Sequence, residues 1–189
     1  ETISAFHKSI ERGARICGIT TGGTLLELLK ENKRDFIKIP SGLQPRAAVA
    51  FSFIPLIKLI DKIGLIKSEL DIWIENSIDD LEKKRIIYGR EGNENHVYEL
   101  ALKIYKKIPI IYSDVSSMRI NAVRLKGQIN ENGKMLAYNN DLPELNHNEI
   151  VGWQNNPEIF KHLCVLWLED DNDNDRTKFR KIITEKILK

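Results

Sequence analysis

The sequence predicts an α/β fold in which helices cover a parallel sheet. Short apolar runs that suit strands alternate with stretches whose apolar residues recur at helical spacing. This alternation is typical of parallel strands joined by helices. Hydrophobic residues make up 42% of the chain and charged residues 30%, which indicates a folded protein rather than a disordered one.

The composition excludes several classes of protein. With 29 basic and 27 acidic residues the net charge is +2, whereas binding to nucleic acid requires a clustered cationic face. Cys17 and Cys164 are far apart and form no CxxC motif, so neither a disulfide framework nor a cysteine-rich zinc site is predicted. No apolar run approaches the ~18 residues that cross a bilayer. We therefore expect a cytoplasmic protein that binds neither nucleic acid nor membrane.

The first 40 residues predict one α/β stretch. The expected elements are a helix over 3–12 that stops at Gly13, a strand over 15–20, a helix over 25–32 and a strand over 36–39. Two strands do not make a stable sheet by themselves. We therefore expect the partners of these strands in preceding sequence or in another chain.

The middle of the chain predicts helices. Residues 47–63 are almost continuously apolar and too long for a strand, so a buried helix is expected there. Residues 67–88 predict a charged amphipathic helix, 89–95 a polar connection and 96–107 another helix. The amphipathic helix has one apolar side, formed by Leu70, Trp73, Ile74, Ile78 and Leu81.

A second α/β stretch follows. The expected elements are a strand over 108–112, a helix up to Asn132, strands over 135–138 and 163–168, and a basic helix after an acidic loop that reaches Asp175. Ser116 and Ser117 are expected to cap the first of these helices, and Gly133 to stop it. Three tryptophans are expected in the core, namely Trp73, Trp153 and Trp167, and both cysteines are expected in buried strands.

Four segments carry a resemblance to a known family. They are residues 18–23 (GITTGG), 42–48 (GLQPRAA), 130–134 (NENGK) and 143–150 (PELNHNEI). Their order and spacing resemble the bifunctional phosphoglucose/phosphomannose isomerases of the sugar-isomerase (SIS) fold, across essentially the whole chain. The resemblance implies a three-layer α-β-α sandwich, flavodoxin-like, with two tandem SIS subdomains and an active site at a dimer interface.

The resemblance also implies how the chain is organised. Residues 1–45 would end the first SIS subdomain, 46–107 would form connecting helices, and 108–189 would form most of the second subdomain. A phosphate-binding S-x-S-G-N-T turn in the family lies just before the position that matches Thr2, and a later helix supplies a Thr and a Lys. We therefore expect a sequence cut at both ends, with Thr2 either a trace of the phosphate site or, as favoured, an ordinary first-turn threonine.

Glu131 is the candidate catalytic base. It falls in the last turn of a predicted helix, where the helix dipole disfavours a carboxylate by ~0.3–1 kcal/mol. Aldose–ketose isomerisation needs one base that moves a proton between adjacent carbons through an enediol, and a partly buried glutamate suits this task. From the residues alone a solvated glutamate at a helix end is the favoured interpretation; the resemblance implies the base.

His147 and Arg46 are the other candidate catalytic residues. An imidazole can protonate a ring oxygen and deprotonate a hydroxyl, which opens a cyclic sugar. From the residues alone, an ordinary histidine in a surface loop is the strong alternative interpretation. The resemblance implies that His147 is donated across the dimer interface. Arg46 could stabilise an enediolate or simply bind loop carbonyls, and its PRAA context favours the first role.

The remaining expectations concern binding. Substrate-binding residues are expected to include Thr2, Arg46 and Asn148, where Asn148 could equally be a solvated surface residue. No HxH or HExxH motif is present, so no metal and no cofactor are expected, which favours the enediol route. The implied partners are a phosphorylated hexose and a second copy of the chain. The alternative is a non-catalytic SIS module that binds a phosphosugar for regulation, which would need neither Glu131 nor His147.

Overall fold

A computed structural model of the chain describes residues 1–66, 69–90 and 95–188. The chain divides into two compact units, Glu1–Glu82 and Lys83–Lys189. Lys67, where a helix was expected to begin, and residues 91–94 of the expected polar connection lie outside the described residues. Among the described residues, none of the helices combines the length and the apolar character needed to span a membrane.

In its described residues, the first unit combines a small parallel sheet with three complete helices and the start of a fourth. Its elements are α1 (Thr2–Glu11), β1 (Cys17–Thr20), α2 (Gly23–Glu31), β2 (Asp35–Lys38), α3 (Val49–Lys62) and the start of α4 (Leu70–Tyr88). Strands β1 and β2 pair in parallel, with Cys17 opposite Asp35. The predicted order of helices and strands is confirmed here, with ends that differ by a few residues.

Gly18 lets β1 and α2 pack closely. A Cβ atom built at Gly18 would lie 2.3 Å from Cδ1 of Leu29, a side chain of α2 that is fully buried. Any larger residue would have to displace the Leu29 side chain, so the glycine allows the close approach of strand and helix.

The burial expected for the helix over 47–63 and for Trp73 is wrong. Helix α3 contains no buried residue in this chain, and Phe53 and Trp73 are 53% and 59% exposed. The reason is that the apolar sides of α3 and α4 line an open groove of about 560 Å³ instead of meeting a filled core. The apolar side predicted for α4 is confirmed, because all five of its residues line this groove.

The second unit contains a three-stranded parallel sheet. Its elements are α5 (His96–Ile104), β3 (Ile108–Asp114), α6 (Arg119–Glu131), β4 (Tyr138–Leu142), 3₁₀ turns Glu144–Asn146 and Glu149–Gln154, α7 (Pro157–Phe160), β5 (Leu163–Leu168) and α8 (Asp175–Ile187). The strand order is β4-β3-β5, and both pairings are parallel. The predicted α/β class with a parallel sheet is confirmed.

A cluster of core residues lies on one face of the sheet. Tyr112, Leu142 and Leu145 form a buried cluster. The cluster is covered by partly buried residues, namely Ile110, Trp153, Val165, Trp167 and Leu188. Two of the three tryptophans expected in the core therefore do pack against it. The six residues of β5, including Cys164, are half-buried rather than buried, and Cys17 in β1 is half-buried as well.

Strand β4 lies three residues later than predicted. The segment expected to pair, residues 135–138, is mostly a connection: Lys134 has a positive φ of 54°, and the Ala137 amide donates to Oδ1 of Asn130 at 2.9 Å. The true strand, Tyr138–Leu142, is polar at three of its five positions. Hydrophobic alternation therefore could not locate it.

The predicted serine caps of α6 are also wrong. The helix begins at Arg119, after Met118, without a side-chain capping bond. The Ser116 hydroxyl donates to Asp114, and the Ser117 hydroxyl donates to Asp173 at 2.6 Å. Both hydroxyls are engaged by carboxylates, since hydrogen bonds to charged acceptors are stronger than those between neutral groups.

A stability test follows from the core. Replacing Leu145, which is 1% exposed, by alanine should lower the free energy of unfolding by about 2–5 kcal/mol, because it leaves a cavity beside Tyr112. The control Leu136→Ala removes a side chain that is 62% exposed and should cost less than about 0.5 kcal/mol. Urea unfolding followed by circular dichroism measures both, and equal losses would contradict the assigned core.

Candidate functional site

Glu131 lies in the last turn of α6, as predicted; it is the final residue of the helix and is exposed. The connection that follows is closed by Asn130, whose Oδ1 accepts the Ala137 amide. Gly133 is required here by contact rather than by a positive φ: a Cβ atom would lie 2.7 Å from the carbonyl oxygen of Ile129. These contacts fix the backbone on both sides of the carboxylate.

His147 lies between the two 3₁₀ turns and is exposed. Its backbone amide donates to the Glu144 carbonyl at 2.9 Å. The first turn is anchored by the buried Leu145 and by Asn146, whose Nδ2 donates to Oγ1 of the buried Thr184 in α8 at 2.8 Å. The His147 backbone is therefore fixed although its imidazole faces solvent.

Asn148 contacts the same turn. Its Nδ2 donates to Oε1 of Glu144 at 2.6 Å, and both residues are exposed. The structure thus brings together His147, Asn148 and Glu144. It places Glu131 in a different segment, between α6 and β4.

A second anchor follows His147 at Glu149. The carboxylate of Glu149 accepts hydrogen bonds from the Tyr112 hydroxyl and, at 2.6 Å, from Nδ2 of Asn140. Trp153 Nε1 donates to the Tyr112 oxygen at 3.0 Å. The sequence did not predict this cluster, because Tyr112 and Asn140 lie 37 and 9 residues from Glu149 in the chain. The polar residues of β4 were the one sequence feature that could have indicated it.

Burial raises the pKa of Tyr112 well above its ordinary value. The hydrogen bond to Glu149 and the negative charge of that carboxylate raise it further, while the hydrogen bond from Trp153 acts in the opposite direction. The phenol therefore stays protonated at physiological pH and remains a donor to Glu149.

A cavity of about 680 Å³ lies at the carboxyl ends of β3 and β4, the edge at which α/β sheets bind ligands. Its walls include Arg176 and Arg180 of α8. The hydroxyls of Ser116 and Thr177, which also line it, both donate to Asp114, the latter at 2.8 Å. Asp114 thereby ties the end of the central strand to the start of α8.

Asp114 is held ionised by these contacts. Burial alone would raise the pKa of this carboxyl, but hydrogen bonds from the Ser116 hydroxyl and amide, the Thr177 hydroxyl and the Ser117 amide together lower it below its ordinary value. The residue is 6% exposed. Its charge is stabilised by these hydrogen-bond donors.

Arg46 and Thr2 belong to the first unit. Arg46 is half-buried in the loop before α3, and Thr2 is the exposed first residue of α1. The turn after β1 is closed by Thr20, whose Oγ1 accepts the Gly22 amide at 3.1 Å. Within the described ranges, no three His, Cys, Asp or Glu side chains are grouped in a way that could hold a metal ion.

Comparison with models of known protein families identifies the family to which the chain belongs. Residues 93–189, which contain the whole three-stranded sheet, match a family model described as the bacterial phospho-glucose isomerase C-terminal SIS domain. The chain belongs to this family. The resemblance stated from the sequence is thereby confirmed, and the parallel sheet flanked by helices agrees with the expected SIS sandwich.

Curated relatives extend the likeness of this SIS-domain chain to its full length. The bifunctional phosphoglucose/phosphomannose isomerase of Caldicellulosiruptor bescii is 44% identical over 191 residues, covering 100% of this chain and 56% of that protein. The enzyme of the same name from Aquifex aeolicus is 39% identical, covering 100% of this chain and 54% of that protein. A D-glucosamine-6-phosphate 4-epimerase from Sulfolobus acidocaldarius is 27% identical over 79% of this chain and 46% of that protein. The chain spans about half the length of the curated relatives it matches.

The contacts of Asp114 make the stability of the SIS unit depend on pH. Because the pKa of Asp114 is lowered in the folded state, its ionised form stabilises the fold above the unfolded value of about 3.9. This contribution, about 1.5–3 kcal/mol for hydrogen bonds to a charged group, is lost as the pH falls through the folded value. Asp114→Asn should therefore lower the melting temperature at pH 7 and have a shrinking effect below about pH 4.

Thermal unfolding of both proteins from pH 7 to pH 3 measures this effect. The control Asp71→Asn alters a carboxylate whose side chain is 72% exposed and paired with Lys58, so it should change the melting temperature little at any pH. A difference between wild type and Asp114→Asn that stays constant down to pH 3 would contradict the assigned linkage.

Proposed function

We propose that this chain acts within an aldose–ketose isomerase that interconverts glucose 6-phosphate and mannose 6-phosphate with fructose 6-phosphate. The observation that carries the proposal is the 44% identity, over the whole chain, to a protein named bifunctional phosphoglucose/phosphomannose isomerase. The structure supports it by presenting Glu131 and His147 on segments whose backbones are fixed. We further propose a cytoplasmic enzyme in which residues 1–45, 46–107 and 108–189 form the end of one SIS subdomain, connecting helices and most of a second.

The proposed reaction divides the chemistry between three side chains. His147 opens the sugar ring by giving a proton to the ring oxygen and taking one from the anomeric hydroxyl. Glu131 then removes the proton from C2 of the open aldose, which leaves a cis-enediolate. A proton passes from O2 to O1, and Glu131 returns its proton to C1, which yields the ketose. Arg46 stabilises the negative charge of the enediolate, while Thr2 and Asn148 contribute to substrate binding. This route needs no cofactor.

We propose that the complete site is shared between two copies of the chain, with His147 entering the site of the partner. Glu131 and His147 are both exposed and lie in different segments of the second unit. A base that abstracts a carbon-bound proton works best where water is excluded. Another protein surface is therefore needed to shield Glu131 from water. A second copy of the chain that donates its His147 would provide this surface.

Removing the proposed base is the first test. In a protein of the relatives' full length that carries this sequence, called here the full-length protein, Glu131→Gln should lower kcat for isomerisation by roughly 10²–10⁴-fold, because amide nitrogen cannot accept the proton. Coupled assays with glucose 6-phosphate and mannose 6-phosphate measure it. The control Glu158→Gln changes an exposed carboxylate paired with Lys161 and should leave kcat unchanged.

Two results would count against this assignment. Undiminished isomerisation by Glu131→Gln would show that another group is the base. A wild-type full-length protein that binds hexose 6-phosphate without turning it over would instead favour the regulatory module.

The ring-opening role of His147 has its own test. His147→Ala should lower kcat with fructose 6-phosphate by roughly 10²-fold or more. It should lower turnover of 5-deoxyfructose 6-phosphate far less, because this substrate lacks the hydroxyl that closes the furanose ring and needs no opening. Progress curves with both substrates, for wild type and variant, measure the ratio. Equal losses on the two substrates would show that His147 acts at another step.

A further inference from the structure

We propose that Glu149 is a positioning residue for His147, held in place by Tyr112 and Asn140. This inference rests on the proposed isomerase function, since it assigns the group that orients one of its catalytic residues. Each carboxylate oxygen of Glu149 accepts a hydrogen bond from the sheet, and its effect on His147 is exerted through the backbone two residues away.

The contacts of Glu149 join the His147 segment to the centre of the sheet. Tyr112 lies in β3 and is fully buried, and Asn140 lies directly opposite it in β4. The Tyr112 hydroxyl donates to one carboxylate oxygen, and Asn140 Nδ2 donates to the other at 2.6 Å. Both strands are fixed by the ladder between them, so the carboxylate is fixed at two points.

The other side of His147 is held independently. Leu145 is 1% exposed in the core cluster, and Asn146 donates to Thr184 of α8 at 2.8 Å. His147 therefore lies between anchors at residues 146 and 149, each bonded to a different element. Loss of the Glu149 anchor would free the backbone on one side of the imidazole while the other side stays attached.

A carboxylate suits this position better than an amide would. Both oxygens of Glu149 face donors, and a glutamine would place an NH₂ group against one of them. Asn140 cannot turn its amide to compensate without loss, because its Oδ1 accepts the Asp141 amide at 2.8 Å. The Tyr112 oxygen already accepts from Trp153 at 3.0 Å. Glu149→Gln therefore weakens the anchor while it keeps the size of the side chain.

The test is a double-mutant cycle in the full-length protein. Glu149→Gln should lower kcat by roughly 10- to 100-fold, the cost of a small misplacement of a reacting group, with KM changed less than about threefold. In a His147→Ala background the same substitution should lower the remaining kcat less than about twofold, because a positioning residue has nothing left to position. A general loss of structure would reduce both backgrounds equally.

A second variant guards against failure to fold. Tyr112→Phe keeps the buried ring and removes one donor to Glu149, so it should lower kcat by a smaller factor than Glu149→Gln and lose its effect in the His147→Ala background. Glu158→Gln serves as the control, with unchanged kcat. If Glu149→Gln and Tyr112→Phe both leave kcat unchanged, or both cost as much without His147 as with it, the proposal is wrong. Absence of isomerisation by the wild-type protein would overturn the proposed function instead.

Discussion

The second unit depends on the central strand β3, which pairs with a neighbour on each side. Because both edges of β3 are hydrogen-bonded, its side chains have fixed positions from which other segments can be held. Tyr112 holds the segment that carries His147, and Asp114 holds the start of α8. Two long-range polar contacts from alternate residues of one strand thus fix both a candidate catalytic segment and the helix beside it.

Burying a polar group destabilises the fold unless that group has a hydrogen-bond partner. A buried phenol or carboxylate without a partner loses about 1–3 kcal/mol, so Tyr112 and Asp114 constrain their neighbours to conformations that provide one. Tyr112 is matched by Glu149 and Trp153, and Asp114 by Ser116, Ser117 and Thr177. Packing of the apolar residues Leu142 and Leu145 stabilises the core but is not directional. The hydrogen bonds are directional and therefore specify where the covering segments lie.

The sequence predicted the bounds of an element where its apolar residues follow a single helical or strand period. The bounds of β5 were predicted, and the end of α6 was predicted to within one residue, since apolar runs and helix-stop residues mark them directly. Strand β4 was misplaced because Asn139, Asn140 and Asp141 break the apolar pattern. The caps predicted at Ser116 and Ser117 were wrong, in part because the Ser117 hydroxyl donates to Asp173, which is 56 residues away in the chain. For the same reason Glu149 could not be recognised, although His147, two residues earlier, was a candidate from its residue type.

At His147 the backbone is fixed while the side chain is exposed, and this combination bears on how the candidate site works. An exposed imidazole is ordinarily free to move, and a group that must be ordered during binding or catalysis reduces the free energy available from that step. Here the backbone is fixed on both sides, at Asn146 and at Glu149, so only the rotamers of His147 itself remain to be ordered. An exposed group on a fixed backbone suits a residue that meets its substrate on another surface, because the segment is already shaped before that surface arrives. The same logic explains why both carboxylate oxygens of Glu149 accept hydrogen bonds from the sheet: this side chain holds the segment in place before the other surface arrives.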